Sequence, residues 1–310
     1  MDKIELKSYA KINLCLDVKG LLEGGFHEVE MVMQQILLCD DVTVCWETSV
    51  GRGLDISLST NRPYLPVDER NLAYKAALLM NEQFGTDMHG KLDIKIKKRI
   101  PVAAGLAGGS GNGAIVLHAI NELWKLDQRV SDLCELGAKL GSDVPFCVMG
   151  QAAENRPLKK KFAEDPLACH CALATGRGTE LKPLKGLKSH LVLSKPPISV
   201  STAEVYRGID EVKIPCRPNT REMIEGLEKG DLKTVQKNMI NVLENFTLKR
   251  YPIVVYTKNN IQSTCSPGAV LMSGSGPTVF GLCGSREEAK AICEQLRNVN
   301  KESFWTRTTF

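Results

Sequence analysis

Pro101-Val-Ala-Ala-Gly-Leu-Ala-Gly-Gly-Ser-Gly-Asn-Gly113 is the stretch of this chain on which the fold turns. Five glycines, Gly105, Gly108, Gly109, Gly111 and Gly113, are interleaved with Ser110 and Asn112. Upstream, Leu92, Ile94 and Ile96 alternate with Asp93, Lys95 and Lys97, the period of a strand. Downstream, Ile115, Leu117, Ile120, Leu123 and Trp124 supply the apolar face of a helix predicted from about Ala114 to Leu126. Glycines between a strand and a helix let the backbone approach an anion with no Cβ in the way, and the first helical amides point their unpaired N–H groups at it. A triphosphate is the natural ligand. The competing reading is a tight turn that needs glycine for its geometry alone; the number of glycines, with Ser110 and Asn112, favours phosphate. Neither common nucleotide loop fits, because the stretch has no lysine for a G-x-x-x-x-G-K-[ST] and no G-x-G-x-x-G follows a first strand. Cationic help for the phosphates has to come from elsewhere.

Working outward, Ala10 to Leu16 alternate as a half-buried strand in which Lys11 is the one lysine, and the alternation allows the solvated face that a strand lysine usually takes. A turn at Gly24 and Gly25 follows, then strand-like runs at Val29 to Met33 and Val42 to Trp46. Asn71 to Phe84 reads as a helix with Leu72, Ala76, Leu79 and Gln83 on one face. Ser131 is placed to cap a further helix that ends near Gly141, where a left-handed glycine is the usual stop. After Gly150 the chain turns polar, with Lys159, Lys160 and Lys161 in a row, and a domain boundary is expected there. The expected domains are residues 1–155 and 156–310, with the last strand free to return to the first. In the second half, two helical patterns in Thr220 to Glu244 break at Gly230, Gly268 to Cys283 forms two apolar strands around a Gly-Ser turn, and Ser285 with Glu288 makes a capping box for a helix from Arg286 to Arg297.

Composition sets the outer limits. The 310 residues carry 40 Lys+Arg against 36 Asp+Glu, a net charge of +4 that is too balanced for a dedicated nucleic-acid binder. At 43% hydrophobic and 25% charged the chain is an ordinary globular protein, and its length favours two domains. The eleven cysteines lie mostly in apolar runs and read as buried thiols of a reducing compartment; Cys169-His170-Cys171 is a weak zinc signal without a second pair. No stretch approaches a membrane span and the N-terminus has no apolar leader, so a cytoplasmic protein is expected, with no membrane partner.

Five segments occur in a telling order: Ala10-Lys11-Ile12-Asn13-Leu14, Gly25-Phe26-His27, Gly105-Leu106-Ala107-Gly108-Gly109-Ser110, Gly141-Ser142-Asp143-Val144-Pro145 and Met272-Ser273-Gly274-Ser275-Gly276. Together they resemble the GHMP kinase superfamily. Within it they are most similar to the branch that phosphorylates a cytidine-diphosphate-linked methylerythritol on the non-mevalonate route to isoprenoid precursors. The likeness runs from about Ser8 to Phe280. It implies an α+β, two-domain GHMP kinase fold, the first domain like the second domain of ribosomal protein S5 and the second ferredoxin-like, with the active site in the cleft between them. ATP and Mg²⁺ are the implied cofactors, and a small molecule is the implied partner, on a monomer or weak homodimer.

The resemblance also implies roles. Asp143 takes the acceptor hydroxyl's proton, although on its own residues it serves equally as a helix cap. Lys11 points into the cleft, lowers the hydroxyl's pKa and keeps Asp143 ionised, so the two act as a pair. Asn13, on the same strand face as Lys11, bonds the substrate polyol. Phe26 and His27 take the cytosine, by stacking and by reading its polar edge; many relatives have Tyr in place of Phe26. Thr202 and Tyr206 close the other side, although Ser201 or Thr202 is also a plain helix cap. ATP is assigned to Pro101, Gly105, Leu106, Ala107, Gly108, Gly109, Ser110, Gly111 and Asn112, joined by Asn71 and by the second glycine turn Gly274, Ser275 and Gly276. No carboxylate cluster marks the Mg²⁺ ligands, and Ser110 is the candidate.

Two departures from the family pattern stand out. Gly111 and Gly113 replace the usual second serine and an alanine, which costs helix stability, removes one possible phosphate or metal contact and implies a looser loop. Residues 155–168 also diverge ahead of the family-like Ala174-Thr-Gly-Arg-Gly178. Homoserine, mevalonate and sugar kinases share the glycine stretch but lack the Gly-Phe/Tyr-His arrangement; a silent binding protein on the same fold would have no reason to keep Lys11 and Asp143.

Overall fold

The structure, a computed structural model, describes residues 1–49, 53–85, 88–265 and 268–310. Two long strands open the chain, β1 (Asp2–Leu21) and β2 (His27–Thr48), joined by a turn in which Gly24 and Gly25 take left-handed φ values of 86° and 77°. Both strands contribute to each of two compact units. The first comprises Met1–Ala10, Leu38–Ile100 and Ala107–Cys169; the second comprises Lys11–Leu37, Pro101–Leu106 and His170–Phe310.

In the first unit β3 (Leu54–Thr60) pairs parallel with β4 (Gly90–Lys97), which pairs antiparallel with the last residues of β2. The helices are α1 (Leu72–Phe84), α2 (Gly108–Leu123), α3 (Val130–Leu140), α4 (Val144–Glu154) and α5 (Arg156–Lys161). On β4 the expected alternation holds: Leu92, Ile94 and Ile96 are buried. For α2 the outcome differs from a one-sided amphipathic helix. Gly111 to Asn121 are all buried, because α1, α3 and α4 pack around α2 and leave it no solvent face. Even His118 is enclosed, its Nε2 donating to the Val148 carbonyl at 2.9 Å, and burial pulls its pKa down to about 4. The buried stripe of α1 is Ala73, Ala76, Ala77 and Met80, one position away from the expected face. Ser131 lies inside α3, whose capping box is made by Arg129 and Asp132, and Gly141 ends that helix in an extended conformation at φ 167°.

In the second unit β2 pairs through Met31–Gln34 with β5 (Cys171–Thr175), and β5 with β6 (Glu180–Pro183), both antiparallel. A separate antiparallel sheet follows, ordered β10-β7-β9-β8, from β7 (His190–Lys195), β8 (Val270–Met272), β9 (Val279–Cys283) and β10 (Glu302–Arg307). Its helices are α6 (Thr202–Ile209), α7 (Thr220–Lys229), α8 (Leu232–Lys237), α9 (Glu244–Arg250), α10 (Pro252–Gln262) and α11 (Arg286–Arg297). Gly230, left-handed at φ 68°, stops α7 as its position suggests. At α11 half of the expected box is present: Ser285 Oγ accepts from Glu288 N, while Glu288 Oε2 accepts from Gly284 N. Among the described residues no helix is long and apolar enough to cross a membrane.

Candidate active site

Each half of the glycine stretch is held by its own unit. In the second unit Gly105 is left-handed at φ 72°, and a Cβ there would stand 2.2 Å from the Ser273 carbonyl oxygen, so only glycine fits. Ser273 Oγ donates to the Gly105 carbonyl at 2.9 Å, and the Lys11 amide to the Leu106 carbonyl at 3.1 Å. Pro101 and Leu106 are buried anchors of this piece. In the first unit the helix begins six residues earlier than its apolar pattern suggests, at Gly108 rather than Ala114, with Ala107 as N-cap in the left-handed region at φ 53°. No side chain caps it, and its first ladder bond runs from Gly111 N to Ala107 O at 2.8 Å. The amides of Gly108, Gly109 and Ser110 thus precede the ladder, at the positive end of the helix. Gly109 is exposed and Ser110 half-buried, whereas Gly111, Asn112 and Gly113 are buried inside the helix.

The second glycine turn lies against the first within the second unit. Gly274 and Gly276 are left-handed, at φ 58° and 87°. Asn241, buried, donates its amide nitrogen to the carbonyls of Met272 and Gly274, both at 2.8 Å, and Thr247 Oγ1 donates to the Ser275 carbonyl at 3.3 Å. Thr202 Oγ1 and Ser275 Oγ share a hydrogen bond of 3.0 Å, which brings the start of α6 to the turn. Ser201 is the N-cap of α6, accepting from Glu204 N. The carboxylate of Glu204 accepts from Tyr251 Oη at 2.8 Å and from Arg250, and these bonds hold its pKa below the usual range.

Lys11 is not on a solvated face. Ser8 to Val18 are buried on both faces of β1, because the strand is covered on each side, and Lys11 is 4% exposed. Its Nζ donates to Asn13 Oδ1 at 2.8 Å, which confirms that the two side chains share a face, and Asn13 Nδ2 reaches the Met31 thioether at 3.1 Å.

Phe26, His27 and Tyr206 all belong to the second unit, where His27 and Tyr206 meet. The His27 and Tyr206 rings stand 5.3 Å apart and tilted at 46°. His27 Nε2 lies 3.0 Å from each carboxylate oxygen of Asp210, a partner 183 residues away that sequence reading did not single out. Phe26 is 47% exposed, and the Arg177 guanidinium covers one face of its ring at 3.4 Å, a cation–π contact from within the family-like Gly176-Arg-Gly178.

The remaining residues belong to the first unit. Asn71 is the N-cap of α1, accepting from Ala73 N at 3.0 Å and donating to Pro66 O at 2.9 Å. Asp143 occupies the N-cap position of α4, yet its side chain makes no capping bond. Among the described residues no group of three or more His, Cys, Asp or Glu side chains could hold a metal ion. Ser110 supplies a hydroxyl in the first turn of α2, a hard oxygen donor that suits a cation already carried by phosphate oxygens and water.

Comparison with known proteins places this geometry. The profile of the GHMP kinases N terminal domain matches residues 71–151, and that of the GHMP kinases C terminal matches 223–302. A 4-diphosphocytidyl-2-C-methyl-D-erythritol kinase of Alkaliphilus metalliredigens is 44% identical over 98% of this chain and 96% of its own length. The chain belongs to the 4-diphosphocytidyl-2-C-methyl-D-erythritol kinase family of the GHMP kinases. A relative of the same name from Clostridium botulinum is 41% identical over 98% of this kinase and all of its own length. A crystal structure of 4-(cytidine 5'-diphospho)-2C-methyl-D-erythritol kinase superposes with a TM-score of 0.77 at 30% identity, covering 99% of this kinase and 100% of that chain. A homoserine kinase from Cytophaga hutchinsonii, at TM-score 0.69 and 18% identity over 100% of this kinase and 95% of that chain, shares the fold alone. The α+β GHMP kinase fold expected from the five segments is therefore the fold of this protein, and the protein is a small-molecule kinase that uses ATP.

Proposed function

We propose that this kinase transfers the γ-phosphoryl group of ATP to the 2-hydroxyl of 4-diphosphocytidyl-2-C-methyl-D-erythritol, and that the residues described above divide the work as follows. The amides of Gly108, Gly109 and Ser110, with the turn Gly274 to Gly276, cradle the phosphates. Phosphoryl transfer makes little covalent demand on the protein, so positioning and charge stabilisation carry the rate. The bond from the acceptor oxygen to the γ-phosphorus forms, the bond from that phosphorus to the bridging oxygen of ADP breaks, and the hydroxyl proton passes to the Asp143 carboxylate. Lys11, buried and donating to Asn13, supplies positive charge to the acceptor oxygen, and Asn13 is held ready for the polyol. Mg²⁺, when bound with ATP, offsets phosphate charge, and Ser110 is the residue here that would hold it.

The observation that carries the choice of acceptor is the assembly of His27, Tyr206 and Asp210. The Tyr206 ring stands beside an imidazole that a carboxylate holds in place, an arrangement suited to a flat, polar-edged base and of no use to homoserine, mevalonate or a free sugar. The test is an acceptor panel: purified protein with Mg-ATP and, separately, 4-diphosphocytidyl-2-C-methyl-D-erythritol, mevalonate, homoserine and galactose, scored for ADP. Turnover of one of the last three but not the first overturns the reading. For the base, Asp143→Asn is expected to lower kcat by about 10² to 10⁴ with ATP affinity intact; near-normal turnover at saturating substrate removes Asp143 from the role.

A further inference from the structure

Beneath the first turn of α2 lies a closed group of charged and polar side chains whose charged members the roles above leave unused. Asp40 is fully buried and Lys98 is 5% exposed. Asp40 Oδ1 accepts from the amides of Arg99 at 2.6 Å and Ile100 at 2.8 Å, and its Oδ2 accepts from Lys98 Nζ. Asn112, in the orientation its neighbours' donors and acceptors require, accepts from Lys98 Nζ at 3.1 Å and donates toward Asp40 Oδ2 at 3.0 Å, Ser8 Oγ at 2.9 Å and the Gly108 carbonyl at 3.2 Å. A Cβ placed on Gly108 would stand 3.2 Å from Lys98 Nζ, so the ammonium lies directly against the first residue of the helix.

Stability does not explain the ammonium. A buried ion pair is weak evidence for stabilisation, and a cation at a helix N-terminus opposes the helix dipole. The carboxylate alone would suit that end of the helix. Its charge, however, would cancel the positive potential of the first turn from inside and repel an arriving phosphate. The ammonium removes that cost.

We propose that Lys98 is a positioning residue for the kinase reaction: by compensating Asp40 beneath Gly108 it keeps the first turn of α2 positive toward the ATP phosphates, the cationic task that no lysine of the glycine stretch can perform. The proposal rests on the reading of that turn as the phosphate cradle.

The two partners have opposite electrostatic effects, so single variants separate this role from a structural one. Calorimetric titration of the full chain with Mg-ATP, Mg-ADP and adenosine is the measurement. Lys98→Met leaves Asp40 uncompensated and should weaken Mg-ATP about tenfold, the loss expected of one partly screened charge, with a smaller loss for ADP and none for adenosine. Asp40→Asn should bind Mg-ATP no more weakly than the parent, and the double variant should return to within about threefold of it. Loss of ATP and adenosine affinity alike in all three variants overturns the proposal, as does Lys98→Met binding ATP like the parent. Should Lys98→Met fail to fold, the uncharged double variant and Asp40→Asn decide, a tenfold loss of ATP affinity in either counting against it. Gly109→Asp tests the cradle itself, because a Cβ there meets nothing closer than Leu72 Cδ1 at 3.9 Å. Abolished ATP binding in that variant beside unchanged binding in Lys98→Met refutes the role of Lys98 alone; unchanged binding in Gly109→Asp refutes the cradle and the proposal with it.

Discussion

Gly111 and Gly113 both depart from the usual pattern of the glycine stretch, yet the structure assigns them opposite responses to alanine. Each lies within α2, where alanine in place of glycine gains about 1 kcal/mol of helix propensity. At Gly111 a Cβ would stand 2.7 Å from Ser8 Oγ and 3.2 Å from the Tyr9 carbonyl oxygen. Neither neighbour yields easily. Ser8 is fully buried, with its Oγ accepting from Asn112 at 2.9 Å, and turning it away forfeits that bond, about 1 kcal/mol. The Tyr9 backbone is held by a reciprocal pair with Gln151, each bond 3.1 Å long. Overpacking of this kind costs about 1 to 3 kcal/mol. Adding the forfeited Ser8 bond and subtracting the propensity gain leaves Gly111→Ala destabilised by about 1 to 3 kcal/mol. At Gly113 the nearest atoms are the Leu72 carbonyl oxygen at 3.3 Å and its Cβ at 3.4 Å, contacts that a small shift relieves, so Gly113→Ala should be neutral or more stable by up to about 1 kcal/mol. Urea titrations of the ligand-free full chain, followed by circular dichroism, measure both. A Gly111→Ala midpoint at or above the parent's, with an unchanged slope, would refute the reasoning, because propensity would then have outweighed packing. The expectation of a looser stretch is thereby recast: at Gly111 the missing side chain permits a close approach of α2 to β1.

Three further outcomes follow from single contacts. Asp210→Ala removes the carboxylate that orients His27 and should raise the acceptor KM about five- to tenfold, the worth of one hydrogen bond, with ATP affinity unchanged; an acceptor titration showing an unaltered KM would dissociate His27 from base recognition. Asn241→Leu leaves the Met272 and Gly274 carbonyls unpaired in a buried site, so a loss of about 2 to 4 kcal/mol in unfolding free energy is expected, together with weaker ATP binding if the turn reaches the phosphates. His118 has a folded pKa of about 4 against 6.5 when unfolded, so between those values the unfolded chain binds more protons. Its contribution is whole above pH 6.5 and is lost as pH falls toward 4, by up to about 3 kcal/mol; melts from pH 7.5 to 4.5 should show a shallower loss in His118→Phe than in the parent.

What the sequence could disclose depended on the range of the cause. Side-chain alternation on β4, the cap at Asn71, the stop at Gly230 and the hairpin from Gly268 to Cys283 all follow from neighbours within a few residues, and each is present. The start of α2 was misplaced because glycine's poor propensity argues against a helix, while burial against α1, α3 and α4 overrides it. Alternation alone leaves a solvated face open to Lys11, because it cannot tell which face of a strand is covered, and here both are. The residues that went unseen, Asp210 behind His27, Asn241 behind Gly274, and Asp40 with Lys98 beneath Gly108, have one thing in common. Each acts through a partner brought near only by the tertiary fold, 183 residues away for Asp210 and 58 between Lys98 and Asp40. A motif states which groups meet the ligand, because those groups must stand at fixed spacing on one element. The groups that set the charge and direction of the motif obey no such spacing, and a balanced charge of +4 over the chain does not reveal that a buried pair is arranged so that one end of one helix stays positive.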